Sequence, residues 1–354
     1  MNLASQVLKA VFEKPEHCVL AFLILIALQA CGNEQPYQVF SGRIMGTTWS
    51  VQLAEAIKTT EQQQAVDKIA QLLADVDQSM STYKQDSELS RINAAGLGSY
   101  PLSAPLFSVL QLAKNINQRS DGAFDVTIGP LVNLWGFGSG AAPAAVPEQS
   151  RIDALLANTG MQGLELDATA RHLLVKQSVQ MDLSAIAKGY AVDRVALGLI
   201  KAGLRNFLVE VGGELRASGV NKNGNHWVIG IETPVQSRRQ AYSGVMLKHK
   251  SIATSGDYRN FFEVEGKRYS HTLDPRSGYP VAHTLASVSV IADSAAAADA
   301  WATALNVLGP EQGMKRAEQE QLAAFFIVRD GESFVARESS AYKAYTEDLA
   351  GDAK

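Results

Sequence analysis

Apolar residues fall at helical spacing through residues 61–80, where Val66, Ile69, Leu72, Leu73 and Val76 share one face and predict a helix. Ser103 reads as the cap of a second helix that runs to Arg119. Further helices are expected at 151–157, ending near Gly160, at 185–202, closed by Gly203, and in an Ala-rich stretch at 294–308. Short apolar or alternating runs between them predict strands at 164–166, 173–175, 181–183, 207–211, 227–232, 244–248, 251–254 and 286–291. Residues 40–53 read as two strands turning about Met45-Gly46. Hairpins are expected about Glu265-Gly266 and Asp330-Gly331, and 141–149 is an Ala/Pro-rich loop. No internal repeat and no regular βαβ alternation is visible. The expectation is an α+β fold, mixed sheets packed with helices in a single body of two intimate lobes.

The 354 residues, 46% of them hydrophobic, can bury a sizeable core. A net charge of −4 leaves no basic field for nucleic acid, and aromatics do not interleave with Lys or Arg. Residues 18–27 form an apolar run of signal-peptide length, followed by Leu28-Gln29-Ala30-Cys31-Gly32. This looks like a bacterial lipoprotein signal over residues 1–30, with Cys31 lipidated. An ordinary signal peptide or an uncleaved anchor is the alternative. A tether at 31–36, a globular domain at 37–337 and a frayed polar tail at 338–354 complete the expected organisation. Cys18 and Cys31 are the two cysteines, so the body carries no disulfide framework, no thiol nucleophile and no Cys-ligated metal.

Several polar clusters stand out. In Met181-Asp182-Leu183-Ser184-Ala185-Ile186-Ala187-Lys188-Gly189, Asp182 and Lys188 lie about a turn and a half apart at an expected helix mouth. Asp182 could be a helix N-cap with Lys188 solvated, or both could meet a ligand. Met45-Gly46-Thr47-Thr48 sits at a hairpin tip, Tyr83 follows a helix, and Gly122-Ala123-Phe124-Asp125 surrounds an acid with small residues. The strand ending in Val211-Gly212-Gly213-Glu214 carries no GxGxxG pattern. Of six histidines, His271 leaves a strand for a turn-rich loop flanked by hydroxyls and an acid, which suits a general base. Its alternative role is a turn histidine bonded to Asp274, itself structural in an Asp-Pro turn. Asp299 and Thr303, at i and i+4, turn both oxygens to one side of a helix, either to bond each other or to meet a cation.

Taken together over residues 37–337, these clusters resemble the ApbE family, the FAD:protein FMN transferases. The resemblance implies that Met45, Tyr83, Ala123, Phe124, Asp125, Asp182, Lys188 and Leu273 contact FAD. It implies a Mg²⁺ site from Asp299, Thr303, Ala302 and the backbone carbonyl of Ala185, with His271 as base. The implied reaction moves FMN from FAD to a Thr or Ser hydroxyl of an acceptor protein and releases AMP. The acceptor would be a membrane-bound redox subunit, such as those of sodium-pumping quinone reductase, met by an enzyme lipid-anchored at the periplasmic side of the bacterial inner membrane. Two other readings share these residues: a Mg²⁺-dependent FAD pyrophosphatase with water as nucleophile, and a flavin-binding lipoprotein without chemistry. A mere binder would need neither the base nor the metal.

Overall fold

The first two strands, β1 (Gln38–Ile44) and β2 (Thr47–Leu53), pair antiparallel about Met45 and Gly46. Both residues take positive φ, 51° and 72°, as a two-residue hairpin of right-handed twist requires. Glycine does this freely; methionine does it under strain. The computed structural model describes residues 37–138, 145–235, 240–258, 260–264 and 266–352. The expected signal, Cys31 and the tether lie outside the described residues, as does part of the Ala/Pro-rich loop.

The remaining strands are β3 (Gly98–Pro101), β4 (Leu164–Asp167), β5 (His172–Val175), β6 (Phe207–Val211), β7 (Glu214–Ser218), β8 (Trp227–Glu232) and β9 (Ala241–Leu247). They continue with β10 (Ser251–Gly256), β11 (Phe261–Val264), β12 (Lys267–Ser270), β13 (Leu285–Ala292), β14 (Ala323–Asp330) and β15 (Ser333–Glu338). Eight of them form one sheet in the order β1-β2-β6-β7-β10-β13-β14-β15. Every pairing in it is antiparallel. Smaller sheets are β3-β5-β4, β8-β9 and β11-β12. The expected α+β class follows directly, because antiparallel neighbours need no helical crossover.

The helices are α1 (Thr59–Met80), α2 (Glu88–Ala95), α3 (Ala104–Arg119), α4 (Gly129–Leu134), α5 (Gln149–Leu156), α6 (Ala187–Lys201), α7 (Ala295–Gln319) and α8 (Ser340–Asp352). Ser103 caps α3 by accepting the Leu106 N–H, as its sequence predicts. α6 lies on β6 and β7, α7 on β10 and β13, and α1 on α6. Val51, Val209, Val288, Val290 and Phe326 from the sheet meet Val192, Val195, Trp301 and Leu305 in the main core. Each such side chain contributes about 1.5–3 kcal/mol on burial. α7 breaks at Gly309 (φ 76°) and Pro310, where the Ala-rich segment was expected to stop, and then resumes to Gln319.

A second, smaller cluster of Leu131, Trp135, Ile152, Tyr269 and Leu273 supports the β11–β12 hairpin. Trp135 stacks on Tyr269 at 5.5 Å between ring centres and donates its indole N–H to the Gly278 carbonyl at 2.8 Å.

Two expectations are corrected. Residues 181–183 are not a strand: the backbone pairing here is limited to a parallel bridge between Ile128 and Gln180 and the Asp182 N–H donated to the Val126 carbonyl, with the side-chain amide of Asn93 pairing Met181. Its Oδ1 accepts the Met181 N–H and its Nδ2 donates to the Met181 carbonyl, both at 2.8 Å. The C-terminal segment is not a frayed tail. α8 packs on β14 and β9 and buries Tyr342 and Leu349. Ser339 starts it, accepting the N–H of Ala324 and of Tyr342 while its own hydroxyl donates to Leu322.

Candidate active site

The site is built where the N-termini of α6 and α7 meet. Gly189, in the first turn of α6, has no Cβ; one placed there would lie 2.3 Å from the Ala295 carbonyl oxygen at the start of α7. That close approach lets each helix put a carboxylate on the other's free N–H groups. Asp299 Oδ2 of α7 accepts the Gly189 N–H at 3.1 Å. Asp193 of α6 accepts the N–H groups of Ala295 and Ala296, both at 3.0 Å. Helix N-termini leave such donors unpaired and favour negative charge, so the exchange stabilises both. Arg216 on β7 holds Asp193 at 2.5 Å.

Lys188 reaches into this junction. Its Nζ is 3.0 Å from Glu214 Oε1 and 3.6 Å from Asp299 Oδ2. Burial opposes the ammonium charge, but Asp299 and then Glu214 outweigh it and hold the Lys188 pKa above the ordinary lysine value. Glu214 shifts the other way from a typical ion-paired acid. Burial pushes its pKa up to about 8, against the pull of Lys188 and with Asp299 adding to the rise. Glu214 Oε2 is buried without a hydrogen-bond partner among the described residues. Two carboxylates thus face one ammonium, an excess of negative charge relieved by a proton on Glu214 or by a second cation. The Gly212-Gly213 turn delivers Glu214; both glycines have positive φ, and a Cβ on Gly212 would sit 3.0 Å from Lys188 Cδ.

His271 follows β12. Its backbone N–H and its ring Nδ1 both contact the Asn260 carbonyl oxygen, at 3.1 and 3.0 Å. A carbonyl only accepts, so Nδ1 carries the proton and Nε2 is left with a free lone pair. Burial lowers the His271 pKa, the Asn260 contact raises it, and the Lys188 charge lowers it again. His271 is therefore neutral at pH 7 and lies within electrostatic reach of Lys188. Its expected alternative partner, Asp274, is instead held by the backbone and guanidinium of Arg276 at 2.8–2.9 Å.

The ApbE family profile matches residues 45–326. This chain belongs to the ApbE family. A Haemophilus influenzae protein named FAD:protein FMN transferase is 40% identical over 336 residues, covering 93% of this chain and 97% of that protein. The solved flavin transferase ApbE of Vibrio cholerae is 38% identical, with a TM-score of 0.80, covering 87% of this chain and 99% of that one. The apo flavinyl transferase ApbE of Pseudomonas stutzeri is 39% identical, with a TM-score of 0.79, over 88% of this chain and 97% of that one.

In this ApbE-family chain the other expected contacts are placed unequally. Asp182 lines a cleft of about 230 Å³ with Thr82, Ser90, Asn93, Gly129 and Gln180. It is not the N-cap of α6. Its Oδ1 accepts the Ser184 N–H at 2.7 Å, ahead of a turn in which Leu183 receives the N–H groups of Ile186 and Ala187. Neither Lys188 nor His271 lines that cleft. Tyr83 is 66% exposed, with an open phenol face, and Met45 packs partly buried at its hairpin tip. Ala123, Phe124 and Leu273 are buried, so a ligand would meet their backbone rather than their side chains. Asp125 is spent internally: it accepts the Thr127 N–H and hydroxyl, the Met161 N–H and the Asn117 amide. Ala302 is buried, while Thr303 and Ala185 are half-buried. Sequence reasoning missed Glu214, Asn93 and Asp193 as participants. The available signal for Glu214 was an acid directly after a glycine pair at a strand end.

Proposed function

We propose that this chain transfers FMN from FAD to a Ser or Thr hydroxyl of an acceptor protein and releases AMP. The observation that carries this reading is His271. Its tautomer is fixed by Asn260, its Nε2 is left as an acceptor, and it lies within electrostatic reach of Lys188 in the Lys188–Asp299–Glu214 cluster. The relatives' shared name, FAD:protein FMN transferase, supplies the substrate class.

The acceptor hydroxyl oxygen attacks the flavin-side phosphorus of the FAD pyrophosphate. A new phosphoester bond forms as the bond to the bridging oxygen breaks, and AMP leaves with that oxygen. The hydroxyl proton passes to His271 Nε2, a general-base contribution of roughly 10²–10⁴-fold. Asp182 and Tyr83 anchor the flavin end, and Lys188 keeps a fixed positive charge near the reacting groups.

The residues also fit a Mg²⁺ ion. Asp299 and Thr303 share one helix side, the Ala185 carbonyl lies in the turn before α6, and the neighbouring Glu214 Oε2 is an unpartnered buried acceptor. These are hard oxygen donors around excess negative charge. Asp299, Thr303 and the Ala185 carbonyl would hold the ion, next to Ala302. When bound, it neutralises charge on the phosphates. A lipid on Cys31 would confine the enzyme to the periplasmic face of the inner membrane, close to membrane-bound redox acceptors.

The test is mass spectrometry of a co-expressed acceptor domain. Covalent FMN on a Ser or Thr supports transfer. AMP production from FAD at the same rate without any acceptor replaces this reading with FAD pyrophosphatase activity.

A further inference from the structure

Lys188 is a cation already in place where the proposed divalent ion needs a carboxylate. The two carboxylates do not share it equally: the ammonium is 3.0 Å from Glu214 and 3.6 Å from Asp299. Both contacts of Asp299, from the Gly189 N–H and from Lys188, fall on Oδ2, which leaves Oδ1 for another partner. The Lys188 stem is also guided toward Glu214, since its Cδ runs against Gly212 in the turn that carries Glu214. Glu214 itself is 4% exposed, with one oxygen on Lys188 and the other unpartnered. From this buried position Glu214 Oε1 accepts a hydrogen bond from the Lys188 ammonium at 3.0 Å.

We propose that Glu214 is a positioning residue: it draws the Lys188 ammonium toward itself and keeps its contact with Asp299 long and confined to Oδ2, so that Asp299 Oδ1 stays open to a divalent cation. Without Glu214, Lys188 closes onto Asp299 and competes with the ion from within the protein. This rests on the reading of Asp299 and Thr303 as a cation site.

Mn²⁺ alone, titrated into the full-length protein and counted by the electron paramagnetic resonance signal of the free ion, tests it. Glu214→Gln is expected to weaken Mn²⁺ uptake roughly tenfold, as coupled neighbours commonly do. In a Lys188→Met background the same change is expected to alter uptake less than about twofold, because no ammonium remains to be released. Glu214→Asp keeps the carboxyl group but shortens the reach to Lys188. It is expected to behave like Glu214→Gln, and it covers the case in which the glutamine variant does not fold. Equal losses in both backgrounds would show Glu214 acting on the cation directly and overturn the positioning role. So would unchanged uptake in Glu214→Gln or Glu214→Asp when the parent binds. A parent that takes up no Mn²⁺ overturns the cation site itself, and this inference with it.

Discussion

His271 works as a base only while Nε2 is bare, and the Asn260 carbonyl ensures that by holding the proton on Nδ1. His271→Ala is expected to keep FAD affinity and lose transfer to an acceptor peptide by about 10²–10⁴-fold; equilibrium FAD binding and single-turnover transfer measure the two separately. Burial lowers the His271 pKa, so the protonated, inactive form prevails only at acid pH. The kcat/KM profile should therefore rise with pH and inflect below the ordinary histidine value of about 6.5. An acid limb centred at or above 7 would remove His271 from that role. His271 was legible because its local context, a strand end followed by hydroxyls and turn residues, is written in consecutive positions. The partners of Lys188 were not. Glu214 lies 26 positions away and arrives only once the β6–β7 turn has folded. Nor does sequence say that Asp125 spends its oxygens on Thr127, Met161 and Asn117, although the Gly122-Ala123-Phe124-Asp125 cluster itself was visible.

Between elements, the exchange of carboxylates across the α6–α7 junction depends on a missing side chain. Gly189→Ala would force the helices apart, since its Cβ has the Ala295 carbonyl at 2.3 Å and the Ala296 Cα at 2.8 Å. The expected cost is about 1–3 kcal/mol, read as a lower urea midpoint, with transfer activity falling more than stability because Lys188 and Asp299 separate. An unchanged midpoint with full activity would mean the junction tolerates the extra atom. Helix positions were legible from apolar spacing and capping residues, as at Ser103 and Gly203. What stands in place of the strand at 181–183 was not, because one pairing group is a side chain 88 positions earlier. Periodicity describes what a segment buries and is silent about a side-chain amide that pairs with its backbone.

At the level of the molecule, α8 closes the structure by covering β14 and β9. Ending the chain after Glu338 uncovers the pockets of Tyr342 and Leu349, each worth about 1.5–3 kcal/mol. Thermal denaturation of that truncated chain should show a clearly lower midpoint, and an equal midpoint would make the helix an ornament. The segment read as a tail because its buried positions are few among many polar ones. The main sheet has a further consequence, for the order in which the chain is made. Its eight strands lie side by side in the order of their synthesis. Each arriving strand finds an open edge, and none must wedge between two already joined. The wait is uneven, however: β2 meets β6 only after about 150 more residues have been added. Until they arrive, the backbone edge of β2 stays bare. During that interval the hairpin is a template for foreign strands, and its safety depends on how soon the rest of the chain arrives rather than on any contact in the finished protein.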